Sequence, residues 1–320
     1  MSYLVSFIIP HKGRFDMLKQ TLQSIAEQDY PIDKLEIIVI SQTPETKTVQ
    51  LLENNELNLQ VILRPEGQTI SSLRNHGTTH AKGKYLAFLD ADVFLSNNWV
   101  SSMISNLEEG KERVIVSAMQ ICGASPPPLE RIRTNLSNAE IDTNVAFLPG
   151  RNLFLSRDTF DKVGGFPEHL ITCEDYYFTD KAAQFGNLYY TSDATYIHLG
   201  EDKFFSEMFK KEIWRGQSNL QSIQGRHIPL REIPSFILPL WICLSLLLAI
   251  ASLIFGAIPT SIILFLAGIV PLLIYSIRLY RLSKKAVTFS AVLSFYTTYF
   301  PARAIGTLAG LFKTISANHK

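Results

Sequence analysis

The stretch that decides the fold reads AKGKYLAFLDAD and covers residues 81–92. Within it, Tyr85–Leu89 is an uninterrupted apolar run, preceded by Gly83 and followed directly by Asp90. A short apolar run bounded in this way predicts a strand that is buried on both faces. Two carboxylates, Asp90 and Asp92, are therefore expected at the carboxyl end of a buried strand.

Similar apolar runs alternate with helix-like segments along the amino-terminal half. The predicted strands are Leu4–Ile9, Leu35–Ile40 and Leu59–Leu63, and the predicted helices are Phe15–Gln28, Thr46–Asn54 and Thr69–His80. This alternation predicts an α/β domain with a mostly parallel, Rossmann-like sheet. Ligands of such sheets bind beyond the carboxyl ends of the strands. Pro10–Lys12, Ser41–Thr43 and Asp90–Asp92 are thus expected on one edge.

The spacing of Asp90 and Asp92 suits a hard divalent cation. Mg²⁺ or Mn²⁺ typically takes one or two protein carboxylates and fills its other positions with phosphate oxygens and water. Two carboxylates are too few for a tight site made by protein alone. A phosphate-bearing ligand is therefore implied.

Two further groups carry candidate chemistry. Glu174-Asp175 precedes the helical run Tyr176–Phe185, and a carboxylate at a helix start stays ionised, which suits a general base. The alternative role there is N-capping. His198 follows the strand-like Ala194–Ile197, where a neutral imidazole either completes a metal site or is structural.

The carboxyl-terminal part differs in composition from the rest. From Ile233 to Ile277 no charged side chain occurs over 45 residues. One bilayer crossing takes about 20 apolar residues, so the stretch predicts two spans at about 235–256 and 260–280 with a turn at 256–260. The alternative is a buried hairpin of a soluble protein.

Positive charge predicts the orientation of these spans. Arg278, Arg281, Lys284 and Lys285 follow the second span, and basic residues favour the cytoplasmic side. Two crossings return the chain to its starting side, so the amino-terminal domain is expected to be cytoplasmic. Segment 286–312 contains Arg303 and is either a third span or a re-entrant or interfacial helix.

Other features narrow the class of protein. Residues 204–221 predict an amphipathic helix with basic and aromatic side chains, suited either to a membrane surface or to packing on the sheet. The net charge of +1 gives no sign of nucleic-acid binding. Three cysteines fall in no metal-ligand spacing and fit a reducing compartment.

Taken together, residues 4–220 resemble the inverting family 2 glycosyltransferases with the GT-A fold. The matching segments are Val5–Pro10, Leu73–Gly77, Ala81–Asp92, Gly150-Arg151-Asn152, Gly164-Gly165-Phe166, Glu174-Asp175, His198 and Trp214-Arg215-Gly216. The register from Arg74 to Asp92 is the most specific of these matches.

The resemblance implies roles for individual residues. Asp175 is the expected catalytic base, and Asp92 and His198 are the expected ligands of Mn²⁺ or Mg²⁺. The residues expected to contact the nucleotide-sugar donor are Pro10, Lys12, Gln42, Arg74, Asn75, Asp90 and Ala91. The residues expected in the acceptor or phosphate region are Gly150, Arg151, Glu174, Trp214 and Arg215.

The chain also departs from the family pattern. The second strand runs into Ser41-Gln42-Thr43, where the family usually has an acidic residue, so Gln42 is left to contact the base. No Gln-x-x-Arg-Trp motif occurs, whereas processive polysaccharide synthases carry one. Addition of a single sugar is therefore expected.

The overall prediction is a membrane-bound, multi-pass enzyme. Residues 1–230 form the catalytic domain, and residues 231–320 form an all-α membrane domain. The enzyme is expected to move one sugar to a lipid-linked or cell-surface glycan acceptor, in contact with membrane lipids. One alternative is a polyprenyl-phosphate sugar synthase, and another, of a different class, is a catalytically silent sugar-nucleotide-binding scaffold.

Overall fold

A computed structural model of the chain describes residues 3–43, 57–218, 233–283 and 286–318. The chain forms two compact units. The first unit comprises Met1–Gly123 and Glu140–Gly200, and the second comprises Ala124–Ala139 and Glu201–Lys320. Whereas the sequence placed a boundary at about residue 230, residues from 201 onward already belong to the second unit. The helix predicted at 46–54 lies outside the described residues.

The described strands of the first unit form one nine-stranded sheet with the order β3-β2-β1-β4-β8-β6-β9-β5, and β7 pairs with β9. The strands are β1 (Val5–His11), β2 (Leu35–Ser41), β3 (Asn58–Leu63), β4 (Tyr85–Leu89), β5 (Val93–Leu95), β6 (Arg113–Ile121), β7 (Thr143–Val145), β8 (Asn152–Ser156) and β9 (Asn187–His198). Strands β3, β2, β1 and β4 run parallel, whereas β8 is antiparallel to β4 and β6. The predicted mostly parallel α/β sheet is confirmed.

Helices accompany this sheet. They are α1 (Phe15–Ala26), α2 (Ile70–His80), α3 (Trp99–Glu109), α5 (Arg157–Val163) and α6 (Glu174–Ala182), with a 3₁₀ turn at Ile32–Lys34. Helix α2 begins where Thr69 accepts a capping hydrogen bond from the amide of Ser72 (3.2 Å). Gly77 lets α2 approach the sheet, because a Cβ there would lie 2.7 Å from Cγ2 of Ile8.

Alternate residues of the central strands pack in two separate apolar cores. Phe7 and Ile9 of β1 pack in a cluster with Trp99, whereas Ile8 packs in a second cluster with Phe88. A strand sends successive side chains to opposite faces of its sheet, so the uninterrupted apolar runs of β1 and β4 reflect burial on both faces.

The second unit is helical. It contains α4 (Pro128–Ser137), α7 (Phe205–Gly216), α8 (Ile233–Ile254), α9 (Ile258–Leu282) and α10 (Phe289–Asn318). Among the described residues, α8 and α9 are long and apolar enough to cross a membrane, with mean hydropathies of 2.6 and 2.3. They coincide with the two predicted spans, and Gly256, at a φ of 75°, lies in the turn between them.

Helix α10 packs closely along α7 at two glycine residues, Gly216 of α7 and Gly306 of α10. A Cβ on Gly216 would lie 3.0 Å from the Cα atom of Gly306, and one on Gly306 would overlap the carbonyl oxygen of Ile213. Such close backbone approach is the packing that small residues allow between helices. Nε of Arg303 on α10 also lies 2.8 Å from Oε2 of Glu212 on α7. The arginine within the predicted third span is thus ion-paired to a neighbouring helix.

Candidate active site

The carboxyl ends of β1, β2 and β4 share one edge of the sheet. The parallel register pairs His11 with Ser41, and the amide of Gln42 donates to the carbonyl oxygen of His11 at 2.8 Å. The amide of Asp90, directly after β4, donates to the carbonyl oxygen of Arg151 at 3.2 Å. The three segments predicted to meet at this edge therefore do so.

Arg74 of α2 is the buried centre of the site, with 1% of its side chain exposed. Its Nη2 donates to Oδ1 of Asp90 (2.9 Å) and to the carbonyl oxygen of Gly150 (3.0 Å), and its Nη1 donates to Oε1 of Glu174 (3.0 Å). The guanidinium also lies over the ring of Phe166, 5.0 Å from its centre. One cation thus connects the end of β4 with the start of α6.

These contacts affect how Glu174 titrates. Burial, together with the neighbouring charge of Asp175, raises the pKa of Glu174 to about 7, although Arg74 acts in the opposite direction. Burial likewise raises the pKa of Asp90, and Arg74 again opposes the shift. The single arginine does not fully compensate two buried carboxylates.

Asp175 lies in the first turn of α6 and is held by main-chain donors. The amide of Gly150 donates to Oδ2 of Asp175 at 3.0 Å, and the amide of Tyr176 donates to Oδ1 at 2.8 Å. A Cβ on Gly150 would lie 2.9 Å from Nη1 of Arg74 and 3.0 Å from Cβ of Asp175. Cys173, just before the helix, has a φ of 64°, in the left-handed region. The carboxylate orientation is therefore fixed by backbone on both sides.

Asp92 and His198 face each other across a strand pair. Antiparallel pairing of β5 with β9 sets Val93 opposite His198, which brings Nε2 of His198 to 3.4 Å from Oδ1 of Asp92. The other carboxylate oxygen, Oδ2, accepts a hydrogen bond from Nη1 of Arg14 at 2.6 Å. Burial alone would raise the pKa of Asp92, but His198 and Arg14 hold it below its usual value. The carboxylate is thus ionised and presents one oxygen beside the imidazole.

This donor set fits a divalent cation that binds together with a substrate. No group of three or more His, Cys, Asp or Glu able to hold a metal occurs among the residues that the structure describes. Asp92 and His198 would supply two ligands, and the remaining positions of a hard cation are those that phosphate oxygens and water commonly fill. The predicted metal ligands are therefore adjacent, but they do not by themselves form a closed site.

Other predicted donor contacts are placed as follows. Nε2 of Gln42 donates to the carbonyl oxygens of Pro65 (2.9 Å) and Gln68 (3.3 Å), which orients its amide. Lys12 is exposed, with Nζ 3.9 Å from Glu66. Pro10 lies within β1, and Ala91 lies between the two aspartates.

Asn75 and Arg151 have structural partners in this site. The side-chain amide of Asn75 accepts from the amide of Phe166 (2.8 Å) and donates to its carbonyl oxygen (2.9 Å). Asn75 thereby holds the Gly164-Gly165-Phe166 segment. Nε of Arg151 donates to the hydroxyl of Tyr196 at 2.9 Å.

Two residues at the edge were not singled out from the sequence. Arg14 contacts Asp92 from a position 78 residues earlier in the chain, and no motif signals such a pair. His11 is buried, and its Nδ1 lies 2.9 Å from Oγ of Ser41. Burial lowers the pKa of His11, so its imidazole is neutral at pH 7. The remaining predicted residues, Trp214 and Arg215, lie on α7 in the second unit.

A mostly parallel sheet that places paired aspartates, a histidine and a helix-start carboxylate at one edge is the arrangement expected of the GT-A glycosyltransferases that the sequence resembles. The family profile described as Glycosyl transferase family 2 matches residues 6–164. The chain belongs to that family and is a glycosyltransferase.

Characterised relatives agree with this assignment. Over 250 residues the chain is 26% identical to Glycosyltransferase AglE of Haloferax volcanii, covering 76% of this chain and 81% of AglE. It is 25% identical over 182 residues to the Poly(ribitol-phosphate) beta-N-acetylglucosaminyltransferase TarS of Staphylococcus aureus, covering 55% of this chain but 32% of TarS. The chain thus matches about a third of the length of TarS.

A solved structure shares the fold. The mannosyltransferase PcManGT of Pyrobaculum calidifontis, determined in complex with GDP-Man and Mn²⁺, superposes with a TM-score of 0.64 at 18% identity. The superposition covers 96% of this chain and 88% of PcManGT. The likeness supports the GT-A architecture followed by carboxyl-terminal helices.

Proposed function

We propose that this glycosyltransferase transfers one sugar, with inversion, from a nucleoside-diphosphate sugar to a hydroxyl of a lipid-linked or glycan acceptor. The observation that carries the proposal is the connection through Arg74. This buried cation contacts both Asp90, next to the Asp92–His198 pair, and Glu174, next to Asp175. Arg74 thereby holds the proposed leaving-group site next to the proposed base.

The donor end is assigned to Asp90, Asp92 and His198. A nucleoside diphosphate brings phosphate oxygens, and Asp92 and His198 would hold a divalent cation between themselves and those oxygens. Bound there, the cation would act as a Lewis acid that offsets the negative charge gained by the departing diphosphate. Complexes of related folds with GDP-Man and Mn²⁺, and with UDP-GlcNAc, support a donor of this class.

The acceptor end is assigned to Asp175. Its carboxylate takes the proton of the acceptor hydroxyl while the hydroxyl oxygen forms a bond to the anomeric carbon. The bond from that carbon to the diphosphate oxygen breaks in the same step, and its electron pair leaves with the nucleoside diphosphate. Attack from the face opposite the leaving group inverts the anomeric centre. Main-chain donors from Gly150 and Tyr176 keep the carboxylate oriented.

We assign α8 and α9 to the membrane, as two spans that leave both flanking segments on the cytoplasmic side. Their lengths of 22 and 25 residues and their hydropathy support the two spans. The cytoplasmic side is inferred from the basic residues Arg278 and Arg281 at the end of the second span. An acceptor that is itself held in a bilayer explains why a sugar-transferring domain is joined to such helices.

Turnover of donor by detergent-solubilised full-length protein tests the proposal. A panel of UDP-, GDP-, ADP- and CDP-sugars is incubated with Mn²⁺ or Mg²⁺ and with either a polyprenyl phosphate or a lipid-linked glycan. The expected result is metal-dependent release of one nucleoside diphosphate that is abolished by a chelator and by Asp175→Asn. Nucleotide binding without any release by the wild type, with every acceptor, would support a silent scaffold instead.

A further inference from the structure

The two units differ sharply in charge. Residues 124–139 and 201–320 contain 15 Lys and Arg and six Asp and Glu, a net charge of 15 − 6 = +9. Because the whole chain carries +1, the first unit carries −8. The positive charge is thus concentrated in the unit that contains the two apolar helices. Basic segments next to membrane helices attract anionic lipid headgroups.

Part of this charge is gathered in one place, which we call the ion cluster. Its members are Arg133 of α4, Asp202 just before α7, Lys211, Glu212 and Arg215 of α7, and Arg303 of α10. Asp202 has Lys211 at 2.6 Å and Arg133 at 3.2 Å. Glu212 has Arg215 at 2.5 Å, Arg303 at 2.8 Å and Arg133 also in contact. Four cations therefore surround two carboxylates.

The exposure of these side chains is uneven. Asp202 and Glu212 are 0% exposed, whereas Lys211 and Arg215 are 34% and 29% exposed. Burial alone would raise the pKa of Glu212, but the guanidinium groups of the cluster lower it to about 2. The carboxylates thus stay ionised and lie beneath the cations, and the outer surface of the cluster is cationic.

The partly exposed side chains of Lys211 and Arg215 lie where an anion from outside the ion cluster can reach them. Glu212 and, to a smaller extent, buried Glu201 raise the pKa of Arg133, so a third carboxylate lies near the ion cluster. Guanidinium groups match phosphate oxygens in charge and geometry.

We propose that the ion cluster binds the phosphate group of a membrane lipid through Lys211, Arg215 and Arg133. The inference rests on the proposed function only in naming a lipid-linked phosphate as the ligand class; the charge and exposure of the cluster do not depend on catalysis. A phosphate bound here would fix the headgroup of an acceptor or of a bilayer lipid against α7.

The test measures thermal unfolding of the full chain in a neutral detergent. Three probes are added separately: dioctanoyl phosphatidic acid, dioctanoyl phosphatidylcholine and inorganic phosphate. The expected result is a concentration-dependent rise in Tm with phosphatidic acid, since a ligand that binds the folded state stabilises it. Phosphatidylcholine, whose phosphate is screened by choline, is expected to give a much smaller shift.

Substitutions on α7 test whether phosphatidic acid binds at the ion cluster. Arg215→Gln and Lys211→Gln are each expected to weaken phosphatidic acid binding about tenfold or more, the loss of one charge-assisted hydrogen bond. Lys211→Gln retains three arginines on the two carboxylates, so it keeps the test valid if Arg215→Gln does not fold. Lys210→Gln, an exposed lysine on the same helix, is the matched control and is expected to bind as the wild type does.

The outcomes separate the sources of the phosphate. An equal shift with inorganic phosphate at the same concentration would overturn the lipid assignment and identify a free-phosphate site. The absence of a shift with any probe, or a shift unchanged in both cluster variants, would overturn the site itself. Donor turnover is measured in parallel, so lipid binding without turnover would refute the proposed function alone, and turnover without lipid binding would refute this inference alone.

Discussion

The amide nitrogen of Gly150 lies 3.0 Å from Oδ2 of Asp175, so a backbone group orients the proposed base. The same residue accepts a hydrogen bond from Arg74 through its carbonyl oxygen at 3.0 Å. Gly150 therefore contacts both the guanidinium of Arg74 and the carboxylate of Asp175. Its lack of a side chain is required, because a Cβ would lie 3.0 Å or less from atoms of both.

Gly150→Ala is expected to lower kcat about 10²-fold, since a displacement of about 1 Å at a reacting group costs that much. Donor affinity, measured by nucleotide titration, is expected to change far less. The matched control is Gly67→Ala, because no atom of the residues that the structure describes lies within 4 Å of the added Cβ, although its φ of 88° adds backbone strain. Wild-type turnover in Gly150→Ala would show that the contact with Asp175 is unimportant.

Asp175→Asn is expected to reduce turnover about 10²- to 10⁴-fold, the usual contribution of a general base. The amide keeps the size of the side chain but cannot take up a proton. Isothermal titration should show unchanged donor binding, and Asp158→Asn, an exposed position on α5, should leave turnover intact. Retained activity in Asp175→Asn would move the base to another residue.

Asp92→Ala is expected to remove the metal dependence of donor binding. The variant loses the carboxylate that faces His198, so the affinity for nucleoside diphosphate should be the same with and without Mn²⁺. Fluorescence titration in the presence of Mn²⁺ or a chelator measures this difference. If the variant kept the full Mn²⁺ effect of the wild type, the cation would have to bind elsewhere.

Gln42 is expected to favour nucleotides whose base carries an N–H on a ring nitrogen of its pairing edge. Because its Nε2 donates to two carbonyl oxygens, the Oε1 atom is the acceptor that it can offer. Uracil and guanine carry an N–H on the matching ring edge, whereas adenine and cytosine carry an acceptor there. UDP or GDP should bind about tenfold more tightly than ADP and CDP, the cost of one unmade hydrogen bond. Equal affinities would reject the contact.

Glu174 makes stability depend on pH. Its pKa in the folded chain is about 7, above the ordinary 4.5, so the folded state retains a proton that the unfolded state has lost. Stability is therefore expected to fall as the pH rises from about 4.5 to 7 and then to level off. Glu174→Gln should flatten this part of the Tm profile relative to the wild type. An identical slope in both proteins would contradict the shift.

Much of the first unit was predictable from the sequence. Local patterns determine elements such as β4, whose predicted bounds Tyr85–Leu89 are those observed, and α2, which starts after its cap at Thr69. Strand β9 was predicted only at its end, because polar residues interrupt the pattern. The register against β6 jumps there, with Ala118 opposite Thr191 and Met119 opposite Thr195. A bulge of this kind breaks the alternation on which strand prediction depends.

In the candidate site, too, some features follow from local sequence patterns and others depend on contacts between distant segments. The positions of Asp90, Asp92 and Asp175 at strand and helix ends follow from local sequence. The contact between Arg14 and Asp92 does not, because only the parallel pairing of β1 with β4 brings the two segments together. In the second unit, Gly216 and Gly306 approach each other closely although they lie 90 positions apart in the sequence. No local pattern predicts such a contact.

The left-handed backbone of Cys173 also limits how the sequence can vary. A side chain other than glycine in that region costs about 1–2 kcal/mol, and Asn and Asp tolerate it best. Cys173→Gly should therefore be accepted readily, whereas a β-branched residue at this position should be selected against on the ground of its backbone conformation alone. Position 173 is thus expected to vary among very few residue types as the protein diverges, and variation there would record the demands of the backbone rather than those of the sugar.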